Sequence, residues 1–163
     1  MTTTDSKTFR EAIRRTLAHR AGSNPDAHAI AAATIDTWHQ MSARLAPVIG
    51  INGVNTLFLR SLHLSSATFE WLAITKEQDD SADLLVSASL LARLADRDTD
   101  EAAKASYTLL VTFTELLASM IGESLTKRLL LPVWAPPPSV TEQERNHELQ
   151  SCNNATRHRS TGT

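Results

Sequence analysis

The stretch DEAAKASYTLLVTFTELLASMIGESLTKRLLL, residues 100–131, decides the fold class of this chain. Wound as a helix, it lines up Leu109, Phe113, Leu116 and Met120 in one apolar seam, broadened on one side by Leu110, Leu117, Ile121 and Leu125. The pattern predicts a single helix from about Asp100 to Leu131, roughly 45 Å long at about 1.5 Å per residue. Pro132 is expected to end it, because a proline pushes the residue before it out of the helical region.

A second seam runs along the same helix. Thr108, Thr112, Glu115, Ser119, Gly122 and Thr126 follow steps of three and four, and they are small or weakly polar where a solvated face usually carries Lys, Glu and Arg. Small side chains let backbones approach closely, so this seam is expected to be covered, by another helix of the bundle or by the same helix of a second subunit. These six residues form the candidate interaction surface. The window 105–122 is also the most membrane-like in the chain, but Glu115, Tyr107 and several Ser and Thr hydroxyls favour a buried central helix over a membrane span.

Working outward, the 163 residues are 42% hydrophobic, 5% aromatic and 21% charged, with 5 glycines. That composition suits one globular domain, and abundant Ala and Leu favour helix over a β-branched sheet. The class expected is all-α: a single-domain bundle of about six helices, with a long C-terminal core helix and a disordered polar tail. The expected boundaries are a flexible residue 1–5 segment, a helical domain over 6–134, and a proline-rich then polar tail over 135–163. No repeat of fixed period is apparent, although the alternation of long and short helices leaves room for a degenerate one.

Within the domain, Phe9, Ile13 and Leu17 predict a first helix from about Ser6 to His19, ended by Gly22. Asn24-Pro25 opens a second, reaching roughly Leu45, with Ala31, Thr34, Trp38, Met41, Leu45 and Val48 on one face. Pro47, Gly50, Asn52 and Gly53 then turn the chain, and a third helix follows from about Val54 to Leu64. A Gly-Val-Asn turn feeding an apolar helix superficially resembles the reading end of a helix-turn-helix. A reading helix, however, displays several basic or polar side chains to bases and phosphates, and this one has a single cation, Arg60. Short helical structure is expected around Phe69, Trp71 and Leu72, and a fifth helix from about Asp80 to the charged turn at Asp96–Asp100. There Asp98 and Glu101 are spaced like a capping box.

The formal net charge of −2 offers no footprint for neutralising several phosphates, which argues against nucleic acid as a partner. Arg10, Arg14 and Arg15 precede no continuous apolar block of a signal peptide, and a lone Cys152 cannot form an internal disulfide, so a cytoplasmic protein is expected. No cofactor and no metal is implied. His28 and His39 share a helix face but stand roughly 16 Å apart at about 1.5 Å per residue, which excludes shared ligation. Asp36 and His39 have the spacing of an acid–base pair and, equally, of a solvated helix face.

Three functional readings follow, in order. The first is a non-enzymatic helical regulatory or protein-interaction domain, expected as a homodimer through the second seam. The second is a small-molecule sensor with an apolar pocket lined by Trp38, Met41, Phe58, Leu62, Phe113 and Met120, since pockets between helices of bundles are common binding places. An enzyme without a recognisable motif comes third. At the corner, Asn52, Asn55, Arg60 and His63 are left as a candidate polar surface.

Overall fold

Two glycines set the architecture. Gly50 (φ 76°, ψ 153°) and Gly122 (φ 88°, ψ 154°) both occupy a backbone region open essentially to glycine alone, and each joins two helices with no intervening loop. The computed structural model describes residues 3–73 and 82–134, and all regular structure among them is helical. The helices are α1 (Thr3–Ala21), α2 (Ala27–Ile49), α3 (Ile51–Ser65), α4 (Ala82–Ala95), α5 (Thr99–Ile121) and α6 (Glu123–Trp134), with a 3-10 turn at Glu70–Leu72.

The helix expected to run unbroken to Leu131 is therefore two helices. The apolar seam continues in sequence across Gly122, but the backbone does not: the Gly122 N–H closes the last turn of α5 on the Ala118 carbonyl, and α6 starts again in a new direction. The prolines behave in the opposite way. Helix α2 passes through Pro47 to Ile49, and α6 passes through Pro132 to Trp134. Each proline removes one donor, to the carbonyl four residues back, and both prolines lie on the exposed surface where water can serve that carbonyl. Gly53, expected to help turn the chain, sits inside α3; Gly50 alone makes the first corner.

The halves of the chain repeat this plan. Helices α2 and α5 each have 23 residues, start after an aspartate N-cap (Asp26, Asp98) and end on a glycine, and the matching positions lie 72 residues apart. Exchanging α1, α2 and α3 with α4, α5 and α6 maps the main pairings onto one another: α2 with α4 onto α5 with α1, α3 with α5 onto α6 with α2, and α2 with α5 onto itself. The halves thus repeat one pairing scheme at a 72-residue offset, and the offset is hard to see in the sequence because few side chains are shared. The shared positions are those the corner demands, such as Leu45 and Leu117 or Ile49 and Ile121, while most side chains between them differ.

The caps are not equivalent. The Asp26 carboxylate accepts from the Ala29 N–H at 2.7 Å, capping α2, whereas the Asp98 side chain makes no cap bond and Glu101 instead accepts from Trp71 Nε1 at 3.2 Å. The expected capping box does not form, because the Trp71 indole claims its Glu. One arginine in the last turn of each half's first helix reaches beyond its own half: Arg20 donates to the Val133 carbonyl as well as to Gln40 of its own half, and Arg93 donates to the Trp71 and Ala73 carbonyls.

The core lies between α2 and α5. Trp38 stacks on Phe58 with ring centroids 3.9 Å apart and meets Phe113 edge-on at 5.2 Å. Met41, Leu45, Leu62, Leu109, Leu110 and Leu117 are also buried there. Five buried hydroxyls are satisfied locally: Thr34, Thr37, Ser61, Thr114 and Thr126 each donate to the carbonyl four residues back, whereas the buried hydroxyls of Ser65, Ser87 and Ser106 have no hydrogen-bond partner within the described residues. No described helix is long and apolar enough to cross a membrane.

Candidate functional site

A cleft of about 320 Å³ opens where the C-terminal half of α1 passes the start of α2 and the first half of α5. Helix α1 contributes Arg14, Leu17, Ala18 and Ala21, a helical face at steps of three and four; Pro25 and Ile30 come from the entry to α2; Ala103, Lys104 and Tyr107 come from α5. The opening has a simple steric origin. Along the first half of α1, Phe9 and Ile13 are buried against α5, and only a gap of about 10 Å³ remains beside Val111 and Thr114. Farther on, α1 presents Ala18 and Ala21 and α5 presents Ala103, so nothing large fills the space between the backbones.

The other half shows what closes such a gap. The positions 72 residues before Ala103 and Tyr107 are Ala31 and Ile35 on α2, the helix against which α4 packs. Ala31 is fully buried there, with Leu90 and Leu94 of α4 likewise inaccessible, whereas Ala103 keeps part of its surface.

Hydrocarbon dominates the cleft wall, and the polar groups stand at its margin. The Arg14 guanidinium lies 5.2 Å from the centre of the Tyr107 ring, a cation–π arrangement. Its ion-pair partner among the described residues, Glu11, is 4.0 Å away with both side chains more than half exposed, a pair too solvated to hold Arg14 in place. Among the described residues no carboxylate, imidazole or thiol lines the cleft. Beyond its closed end, Arg10 donates to Glu115 at 2.7 Å and ties α1 to α5. The Glu115 carboxylate, through that hydrogen bond and its charge, raises the Arg10 guanidinium above its ordinary pKa; Arg10 is already fully ionised at neutral pH, so no stability change with pH follows.

The residues singled out from sequence are distributed as follows. Of the second seam, Glu115 is engaged by Arg10, Thr108 and Thr112 are partly exposed, Ser119 is exposed, and Gly122 and Thr126 lie at and past the corner, Thr126 fully buried on α6. The corner splits the seam between two helices. Trp38, Met41, Phe58, Leu62 and Phe113 are close-packed core, while Met120 is 63% exposed and lies apart from them. On α3, Asn52, Arg60 and His63 are exposed and Asn55 partly so. Asp36 and His39 are exposed on α2, and no group of three or more His, Cys, Asp or Glu residues that could hold a metal ion occurs among the described residues. The expected tail, with Cys152, His147 and His158, lies outside the described residues.

Sequence reasoning did not find the cleft. Its residues belong to three separate helices, and the only local trace is the run of small residues Ala18, Ala21 and Ala103 at positions where apolar bulk would otherwise continue the packing. No protein-family model, curated protein or solved structure matches the chain.

Proposed function

We propose that this chain is a helical regulatory module that binds a small apolar ligand in the α1–α2–α5 cleft. The observation that carries the reading is the cleft itself: about 320 Å³, at the lower end of the 300–1,000 Å³ usual for ligand pockets, with a wall of Leu17, Ala18, Ala21, Ile30 and Ala103. Its polar groups, the Tyr107 phenol and two cations at the margin, suit orienting a ligand better than transforming it. Under this reading the ligand lies in the cleft and not among Trp38, Phe58 and Phe113, whose rings pack on one another.

Exposed apolar residues support a protein-interaction role alongside ligand binding. Val48 and Ile51 flank the Gly50 corner, Met120 and Leu125 flank the Gly122 corner, and Leu59 and Leu131 occupy matching positions on α3 and α6. A second copy of the chain is the partner expected under this reading.

The ligand reading is tested by alanine-methyl NMR of the full chain titrated with 1-octanol or octanoate. Shifts centred on Ala18, Ala21 and Ala103, and abolished in an Ala18→Trp, Ala103→Trp variant that keeps its helical circular dichroism, are expected. Unmoved cleft methyls with both probes would overturn it.

A further inference from the structure

The cleft's walls and its margin differ in chemistry, and the difference specifies a ligand class. The cleft's accessible surface is almost entirely hydrocarbon; its two cations, Arg14 from α1 and Lys104 from α5, are both exposed side chains, and Arg14 lies over the Tyr107 ring. We infer that the cleft takes a single-chain amphiphile with an anionic head, its chain of about eight carbons lying against Leu17, Ala18, Ala21 and Ile30 and its head between Arg14 and Lys104. The inference rests on the cleft being a ligand site and adds the charge of the ligand.

Three observations support it. The volume, about 320 Å³, lies at the lower end of the range usual for ligand pockets and so suits a small ligand such as a short fatty-acid anion. Among the described residues no acidic side chain lines the cleft, so an anionic head meets no repulsion from that wall, whereas an ammonium head would face two like charges. Both cations are long, flexible side chains whose stems can cover the chain while the charged ends meet the head, and Arg14 is oriented by the Tyr107 face rather than sequestered by a buried carboxylate. The corresponding half-site on α2 carries Ala32 where α5 has Lys104, and its gap is closed by α4; the cation and the space occur together in one half only.

The test is an NMR titration of the full chain at pH 7 with three probes that share an eight-carbon chain: octanoate, 1-octanol and octyltrimethylammonium. Octanoate is expected to bind roughly five-fold or more tightly than 1-octanol, the ratio that about 1 kcal/mol of exposed charge interaction supplies, and the cation weakest of all. In an Arg14→Gln, Lys104→Gln variant the octanoate preference disappears while 1-octanol binding is retained, and in the native chain the preference shrinks at high salt. Equal binding of octanoate and 1-octanol overturns the anionic specificity and leaves the apolar site standing. Loss of 1-octanol binding in a folded double variant also overturns it, since the two residues would then act through shape and not charge. Binding of none of the three probes removes the ligand reading itself.

Discussion

In the first half of the chain Gly50 turns α2 into α3, and the space inside the corner is filled by Trp38 stacked on Phe58. In the second half Gly122 turns α5 into α6, and the residues at the matching positions are Leu110 and Leu130, both fully buried. The outer faces differ in the reverse sense: α4 closes over α2, while α1 stands off the start of α5 and leaves the cleft. One backbone plan thus carries two different packings. The corner is fixed by the backbone of one glycine, whereas filling depends on side-chain volume at positions the corner does not constrain.

The largest effect that would break the comparison is expected at the aromatic cluster. Trp38→Ala should cost about 3–5 kcal/mol, a large share of the roughly 5–15 kcal/mol that typically holds a domain together, and Leu110→Ala about 2–5 kcal/mol. Urea denaturation of the two variants measures this; a smaller loss for Trp38→Ala than for Leu110→Ala would show that the aromatic stack is not the tighter of the two fillings.

Next come the glycines. Nothing lies within 4 Å of a Cβ added at Gly50 or Gly122, so any penalty there is conformational and not steric. Gly50→Ala and Gly122→Ala should each cost about 1–3 kcal/mol because the positive φ with extended ψ is nearly closed to other residues. Gly53→Ala should instead stabilise by about 0.4–1 kcal/mol, since Gly53 is helical and its new methyl would meet Ile49 at an ordinary 3.6 Å. Equal effects at Gly50 and Gly53 in the same denaturation assay would refute the assignment of the corner to Gly50 alone.

The smallest effect sharpens the cleft. Arg10 and Glu115 are 51% and 39% exposed, so their coupling in a double-mutant cycle should be about 0.2–1 kcal/mol and fall further in 1 M salt. A coupling well above that range would mean that the tie, and not the Phe9–Ile13 packing, holds the closed end of α1 against α5.

Helical class and most helix positions were legible because apolar side chains at steps of three and four must be buried together: Phe9, Ile13 and Leu17 on α1, or Leu109, Phe113 and Leu117 on α5, announce their faces without reference to other elements. The break at Gly122 was not, for a physical reason. A glycine inside a helical pattern is compatible with either continuation or a turn, and the row Leu117, Ile121 and Leu125 reads as continuous across it. Pro47 and Pro132 gave the opposite error, since a proline costs one hydrogen bond that an exposed helix face can concede to water. At Asp98, the Glu three residues on was drawn away by Trp71, a residue 30 positions distant in the chain from Glu101.

By itself, then, the sequence determined which faces are apolar, and with them the helical class, because amphipathic periodicity is a local property of neighbouring residues. Only the tertiary structure decided that the helices pair in two matching sets of three, that Trp38 stacks on Phe58, and that an opening lies between Leu17, Ile30 and Tyr107. Closure of a gap depends on the combined volume contributed by separate helices, and no single helix carries that sum in its own sequence.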